Sequence, residues 1–62
     1  MTHYRVYKLD HEMRIKRAPI DIDCVDDEDA VKMARDIAEA EYCNVEVWQK
    51  TRKVTVLPRP EV

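Results

Sequence analysis

The sequence contains no glycine and no phenylalanine among its 62 residues. Without glycine, any turn that needs a positive φ must place a residue with a Cβ atom there, and we expect Asp10, His11, Asn44 or similar residues to do so. The same absence excludes a glycine-rich phosphate-binding loop. The turns of this protein are therefore expected to be strained or longer than usual.

The chain has only two cysteines, Cys24 and Cys43. They flank a predicted helix of about 16 residues, whose ends would stand roughly 24 Å apart. A disulfide requires Cα atoms within about 7 Å of each other. The sequence therefore predicts two free thiols in a reducing compartment, which indicates the cytoplasm.

Long apolar runs are also missing. The uncharged stretches are only a few residues long, whereas a membrane span needs roughly 18, and residues 1–5 lack the apolar core of a signal peptide. With 39% charged residues and a net charge of −2, the chain has no bulk attraction for a phosphate backbone or an anionic lipid. We expect no association with membranes.

Hydrophobic residues nevertheless make up 45% of the chain and recur with clear periods. A chain of this length buries only about 60% of the surface that its unfolded form exposes, so it can build one small core. The sequence predicts a single domain over residues 1–57. Residues 58–62 are predicted to form a flexible tail, because Pro58 and Pro60 prevent regular strand pairing.

Alternating apolar and polar residues predict four strands, and one segment has the period of a helix. The strands cover residues 4–9, 20–24, 45–49 and 53–57, and residues 14–16 begin the second one before a break at Pro19. Asp26 is the predicted N-cap of a helix that runs to about Tyr42, with alanines on its buried side. The predicted fold class is α+β, of β-β-α-β-β type, with one helix on one face of a four-stranded antiparallel sheet.

Two strand orders fit these elements. The order 2-1-3-4 is favoured because it leaves the strand near Pro19 at a sheet edge, where a residue without an N–H group is tolerated. The order 1-2-3-4 would place that strand centrally. The orientation of the first strand stays open, because Tyr4 and Val6 share one face while Tyr7 and Leu9 share the other.

Several short motifs of this chain have counterparts in other proteins. They are YRVYKLD at residues 4–10, the pair Arg14-Ile15, DDEDA at residues 26–30 and VEVWQ at residues 45–49. In these motifs the chain resembles a family of small uncharacterised bacterial proteins, and the resemblance covers nearly its whole length. Members carry a glycine in the first turn, where this chain has His11, Glu12 and Met13. The resemblance implies no activity, ligand or site residue.

A single helix can cover only one face of the predicted sheet. The other face would then carry Trp48 with other large apolar groups, and such a patch commonly marks an interface. The predicted interaction surface consists of Trp48, Tyr7, Leu9, Thr55, Leu57, Arg5 and Lys53. We expect it to join copies of the chain into a homodimer or other homo-oligomer, and a different protein partner is the alternative occupant.

Two further functions compete with self-association. Trp48 and Tyr7, flanked by Arg5 and Lys53, resemble a stacking platform for single-stranded nucleic acid, but the negative net charge opposes this partner. The six carboxylates within residues 21–29 would let the chain act as an acidic inhibitor that mimics a nucleic-acid backbone. Capping of the helix N-terminus explains most of those carboxylates without a partner.

No sequence motif indicates catalysis or metal binding. The two histidines and two cysteines lack the short spacings of zinc ligands. No nucleophile beside a base and no paired-carboxylate motif stands out. We therefore expect a protein that is not an enzyme and has no cofactor, and we assign no catalytic, cofactor-binding or metal-binding residue.

Overall fold

The fold was obtained as a computed structural model that describes residues 1–60. Its elements are β1 (Thr2–Leu9), β2 (Ile20–Cys24), α1 (Asp27–Glu41), β3 (Asn44–Gln49) and β4 (Arg52–Leu57). The strands form one antiparallel sheet in the order β2-β1-β3-β4. The predicted α+β fold and the favoured strand order are confirmed, with β2 at an edge as Pro19 requires.

Helix α1 packs on the sheet face that holds Tyr4 and Val6. Tyr4 lies opposite Ile22 and Val6 lies opposite Val47, and directly opposite residues of antiparallel strands share a face. Tyr4 is 2% exposed, and Val6 and Val47 are fully buried. Strand β1 therefore turns Tyr7 away from the helix.

The helix begins at the predicted N-cap. Asp26 Oδ1 accepts a hydrogen bond from the backbone N–H of Asp29 at 2.9 Å, which satisfies one of the free donors of the first turn. The buried residues of α1 are all alanines, whose small side chains let the helix lie close to the sheet. The core consists of Tyr4, Val6, Ile22, Cys24, Ala30, Ala34, Ala38, Cys43, Val45 and Val47.

A hydrogen-bonded group that we call the Asp27 triad (Tyr4, Asp27 and Arg52) ties the start of α1 to β1 and β4. The Tyr4 hydroxyl donates to Asp27 Oδ1 at 2.7 Å, and Arg52 donates to both carboxylate oxygens at 2.9 and 3.0 Å. The hydrogen bonds from Arg52 and then Tyr4 lower the pKa of Asp27 to about 2. The hydrogen bond to Asp27 raises the pKa of Tyr4 to about 12. Across the neutral pH range, Asp27 therefore stays ionised and Tyr4 stays neutral.

Strand β4 contains a β-bulge. Thr55 lies opposite Val47, but the next residue of β3, Trp48, lies opposite Lys53. Strand β4 thus advances by two residues while β3 advances by one, and Val54 is the extra residue.

The bulge reverses the faces predicted for the second half of β4. Thr55 and Leu57 share the helix side with their partners in β3, and Leu57 packs against the core. The prediction that Thr55 and Leu57 lie on the face away from the helix is wrong. Val56 lies there instead, opposite Glu46, and is 39% exposed.

Leu9 is buried at the end of β1, although alternation places it on the side away from the helix. The following loop folds back at this point, and Ile15 forms a bridge with Leu9. The Asp10 carboxylate supports this turn by accepting hydrogen bonds from the backbone N–H groups of Glu12 and Arg14 at 2.8 and 3.0 Å. Leu9, only 1% exposed, anchors the loop and does not contribute to an exposed surface, contrary to the prediction.

The positive φ values fall on Met13, Tyr42 and Lys50, at 65°, 54° and 56°. The prediction that Asp10, His11 or Asn44 would take them is wrong. Tyr42 takes the left-handed conformation because it is the C-cap of α1, where its N–H donates to the carbonyl of Ala38. The positive φ values occur where the chain reverses direction, and the residue at each of these positions adopts them whatever its type.

We expect Lys50→Gly to raise the free energy of unfolding by about 0.5–1 kcal/mol. Gln49 and Arg52 are paired, so Lys50 and Thr51 form a two-residue hairpin loop. Only the first loop residue has a positive φ, which is the type II′ pattern that favours glycine. Urea denaturation measures the change. Thr51→Gly is the matched control and should destabilise the protein, so equal effects of the two substitutions would contradict a strained Lys50.

The segment after β4 starts with contacts to the domain. The Arg59 N–H donates to Asn44 Oδ1 at 2.6 Å, and the Arg59 guanidinium lies 5.4 Å from the centre of the Tyr42 ring. The predicted flexible tail, residues 58–62, is therefore in contact with the domain at Arg59. Its residues 61 and 62 lie outside the described residues.

Candidate interaction surface

The sheet face turned away from α1, which we call the open face, carries side chains from all four strands. The register places on it Asp21, Asp23, His3, Arg5, Tyr7, Glu46, Trp48, Lys53 and Val56. Because α1 packs on the other side of the sheet, it gives these side chains no cover. The open face therefore combines two aromatic rings with charges of both signs.

Trp48 is half-buried near the middle of the open face. Its Nε1 donates to Glu46 Oε1 at 3.2 Å, and Lys53 Nζ lies 5.6 Å from the centre of the ring. Lys53 Nζ also lies 3.4 Å from Glu46 Oε2. The indole is therefore oriented by an acid and a base of its own chain, and Lys53 forms a cation–π contact with it.

A shallow depression of about 380 Å³ lies beside the indole. It is lined by Tyr7, Ile15, Glu46, Trp48, Lys50 and Thr51. Ile15 is 59% exposed at its border. The apolar part of the open face is thus a concave area between two aromatic side chains and an exposed aliphatic one.

The β1 and β2 side of the open face holds a charged network. His3 lies between two carboxylates, with Nε2 at 3.1 Å from Asp21 Oδ1 and Nδ1 at 3.2 Å from Asp23 Oδ1. Arg5 Nε lies 3.3 Å from Asp21 Oδ1. The neighbouring Tyr7 side chain and then the charge of Asp21 raise the pKa of Arg5. Since these groups are more than half exposed, their pairing within the chain adds little stability, and they can contact a partner.

The structure brings Trp48, Tyr7, Arg5 and Lys53 of the predicted surface together on the open face. Two apolar members of the open face, Ile15 and Val56, were not predicted. For Val56 the reason is the bulge, which reverses its orientation. For Ile15 the reason is that the predicted second strand includes residues 14–16, whereas β2 begins at Ile20 and Ile15 lies in the loop before it. The sequence signal for Ile15 is its apolar side chain within the largely polar residues 10–17.

A larger depression, of about 800 Å³, lies at the end of the sheet near the C-terminus of α1. The Asn44 side chain, which lines it, is already hydrogen-bonded within the chain. Asn44 Nδ2 donates to the Asp10 carbonyl at 3.3 Å, while Asn44 Oδ1 accepts the N–H of Arg59. Asn44 therefore links Asp10 and Arg59, two other residues that line this depression.

Comparisons of the chain with protein-family models, curated proteins and solved structures gave no match. Within the described residues, no group of three or more histidine, cysteine or acidic side chains is arranged to hold a metal ion. No helix formed by residues 1–60 has both the length and the apolar character needed to cross a bilayer. The interpretation of the open face therefore depends on its own geometry.

Proposed function

We propose that this protein is a small self-associating interaction module, and that two copies form a homodimer through their open faces. The observation that carries the proposal is Trp48, half-buried on a sheet face that the only helix of residues 1–60 does not cover. Tyr7, Ile15 and Val56 surround it with further apolar surface. Tryptophan, tyrosine and arginine are the residue types that contribute most to protein interfaces.

The size of the molecule suits a reversible dimer. Its two longer dimensions are 32 and 21 Å, so two such faces would bury on the order of 1,300 Å² in total, near the lower end of specific interfaces. The burial would also enlarge the hydrophobic core of a chain that is too short to build a large one alone.

The charges on the open face argue against single-stranded nucleic acid as the partner. Glu46 is bonded to the indole on which a base would stack, and Asp21 and Asp23 are bonded to His3. Carboxylates at these places repel phosphate groups.

The acidic-inhibitor alternative has equally little support. In the acidic segment Asp26 caps α1, and Asp27 belongs to the Asp27 triad. These carboxylates already have structural roles within the chain, so they give no reason to assign a basic partner.

In this proposal the protein acts in the cytoplasm and is not an enzyme. Cys24 and Cys43 are both buried and free. Burial raises the pKa of the Cys24 thiol, which keeps it protonated and unreactive at neutral pH. Free thiols of this kind are typical of a reducing compartment.

Sedimentation equilibrium of the wild type and of Trp48→Ala tests the proposal. We expect a wild-type dimer with a Kd in the micromolar range, and a Kd at least about 30-fold higher for Trp48→Ala, because a central tryptophan is a typical hot spot. Tyr42→Asn is the matched control. It removes an exposed aromatic ring outside the open face and tolerates the positive φ, so its Kd should match the wild type.

The proposal is wrong if the wild type stays monomeric at millimolar concentration. A titration with a fluorescent single-stranded oligonucleotide separates the competing function. Salt-sensitive binding that is lost in Trp48→Ala would support the nucleic-acid platform instead.

A further inference from the structure

One row of side chains crosses the whole open face. Asp21 lies opposite Arg5, Arg5 opposite Trp48, and Trp48 opposite Lys53. In the spatial order β2-β1-β3-β4, this cross-strand row therefore reads acid, base, aromatic, base. The side chains of Asp21, Arg5 and Lys53 are 58%, 56% and 47% exposed, so all three can reach another molecule.

The cross-strand row of one copy is complementary to the same row of a second copy that runs in the opposite direction. When a second copy is turned end for end and laid on the first, Lys53 comes over Asp21 and Arg5 comes over Trp48. The first contact is an ion pair, and the second places a guanidinium on an indole, which is a favourable cation–π arrangement. Because the two copies are equivalent, each contact forms twice, once from each copy.

The neighbouring row, formed by Tyr7 and Glu46, is also complementary to its reversed copy. Tyr7 lies opposite Glu46, so the reversed copy brings the phenol hydroxyl over the carboxylate. A hydroxyl donates well to an ionised carboxylate. The formal charges on the four strands of the open face alternate in sign: negative on β2 from Asp21 and Asp23, positive on β1 from Arg5, negative on β3 and positive on β4.

Of the two in-plane two-fold axes that keep the strands of the two sheets aligned, only one uses this alternation. An axis in the interface parallel to the strands lays β2 over the partner's β4 and β1 over the partner's β3, so opposite charges meet. An axis in the interface perpendicular to the strands lays each strand over its own copy. Asp21 and Asp23 would then face carboxylates and Lys53 would face an ammonium group, and such like-charge contacts oppose association.

We infer that the occupant of the open face is a second copy of this chain, related by a two-fold axis parallel to the strands. This inference rests on the proposed self-association and specifies its geometry. Asp21 pairs with Lys53, and Arg5 stacks on Trp48, twice across the interface. The two sheets are stacked with their strands nearly aligned, as in other face-to-face sheet packings.

A charge-exchange cycle tests the axis. Asp21→Lys and Lys53→Asp each turn two attractions into two repulsions, so each should raise the Kd about tenfold or more at low ionic strength. The double variant restores two opposite-charge contacts, and its Kd should return to within about threefold of the wild type. With the perpendicular axis each substitution would replace one like-charge contact with another, so neither single variant should raise the Kd. Asp36→Lys, an equal charge change on the exposed side of α1, is the control and should leave the Kd unchanged.

The outcomes separate the two proposals. If the wild type dimerises through Trp48 but the double variant binds no better than the single variants, the axis is wrong and the self-association stands. If Trp48→Ala leaves the Kd unchanged, both fail. Circular dichroism melting shows which variants remain folded.

A cross-linking experiment gives a second measurement that does not depend on the charge variants. A mixture of Asp21→Cys and Lys53→Cys chains, treated with a short bismaleimide, should yield a mixed dimer. Asp21→Cys chains alone should yield none, because the parallel axis keeps the two β2 strands at opposite edges. Cross-linking of Asp21→Cys to itself would overturn the inference.

Discussion

Ala34→Leu should lower the free energy of unfolding by about 1–3 kcal/mol, because the core at this point has no room for a larger side chain. Ala34 is fully buried on the side of α1 that faces the sheet, between the buried Ala30 and Ala38. The valines of β3 beneath the helix, Val45 and Val47, are also fully buried. An isobutyl group would therefore lift the helix off the sheet. For so small a core the loss is a large part of the total stability.

Urea denaturation followed by circular dichroism measures this loss. Ala40→Leu makes the same change at an exposed position of the same helix, and both residues are good helix formers. We expect the control to change the free energy of unfolding by less than about 0.5 kcal/mol. If the two substitutions had equal effects, the close approach of α1 to the sheet would not be the cause.

Asp27→Ala should lower the thermal midpoint at neutral pH by about 5 °C or more, because the Tyr4 hydroxyl loses its acceptor while it remains buried. Arg52 loses its bidentate partner at the same time. The Asp27 triad joins α1 to both β1 and β4, so the substitution frees the start of the helix from two strands.

The pH dependence of stability distinguishes the Asp27 triad from other interactions at the start of α1. The pKa of Asp27 falls from 3.8 to about 2 on folding, so its contribution is complete above pH 3.8 and is lost as the pH falls towards 2. The pKa of Tyr4 rises from 10.0 to about 12, so its contribution is complete below pH 10 and is lost as the pH rises towards 12. Asp27→Ala should reduce the loss of stability in both ranges.

Thermal midpoints recorded from pH 2 to pH 12 check this expectation. Glu28→Ala is the control, since it removes an exposed acid from the same helical turn. It should lose only the small benefit of a negative charge near the helix N-terminus and keep both pH-dependent ranges. A control variant with the same pH profile as Asp27→Ala would show that the triad has no special role.

Local signals made much of this fold predictable from the sequence. Strands β1 and β3 are rich in β-branched and aromatic residues, and Asp26 is followed by the acids that a helix N-terminus favours. The strand order could be predicted because Pro19 is tolerated only beside an edge strand. Each of these signals acts within a few residues, which is why sequence reasoning could use it.

The features that sequence reasoning missed depend on contacts between distant segments. Strand β4 alternates apolar and polar residues from Lys53 to Val56 as an unbroken strand would, and only its pairing with β3 reveals that Val54 is an extra residue. The burial of Leu9 likewise depends on the return of the loop at Ile15. Of the candidate surface, the central residue Trp48 was predictable, because one helix cannot cover both faces of a sheet.

The extra residue in β4 also bears on where the proposed self-association would stop. Both outer strands would otherwise present unsatisfied backbone groups as templates on which further strands add without limit. At the β4 edge, the bulge at Val54 breaks the regular hydrogen-bonding pattern that an added strand would have to match. At the other, Pro19 and the carboxylates of Asp21 and Asp23 discourage growth. Both borders therefore oppose filament formation, and the proposed stacking of two sheets would give a closed and finite assembly.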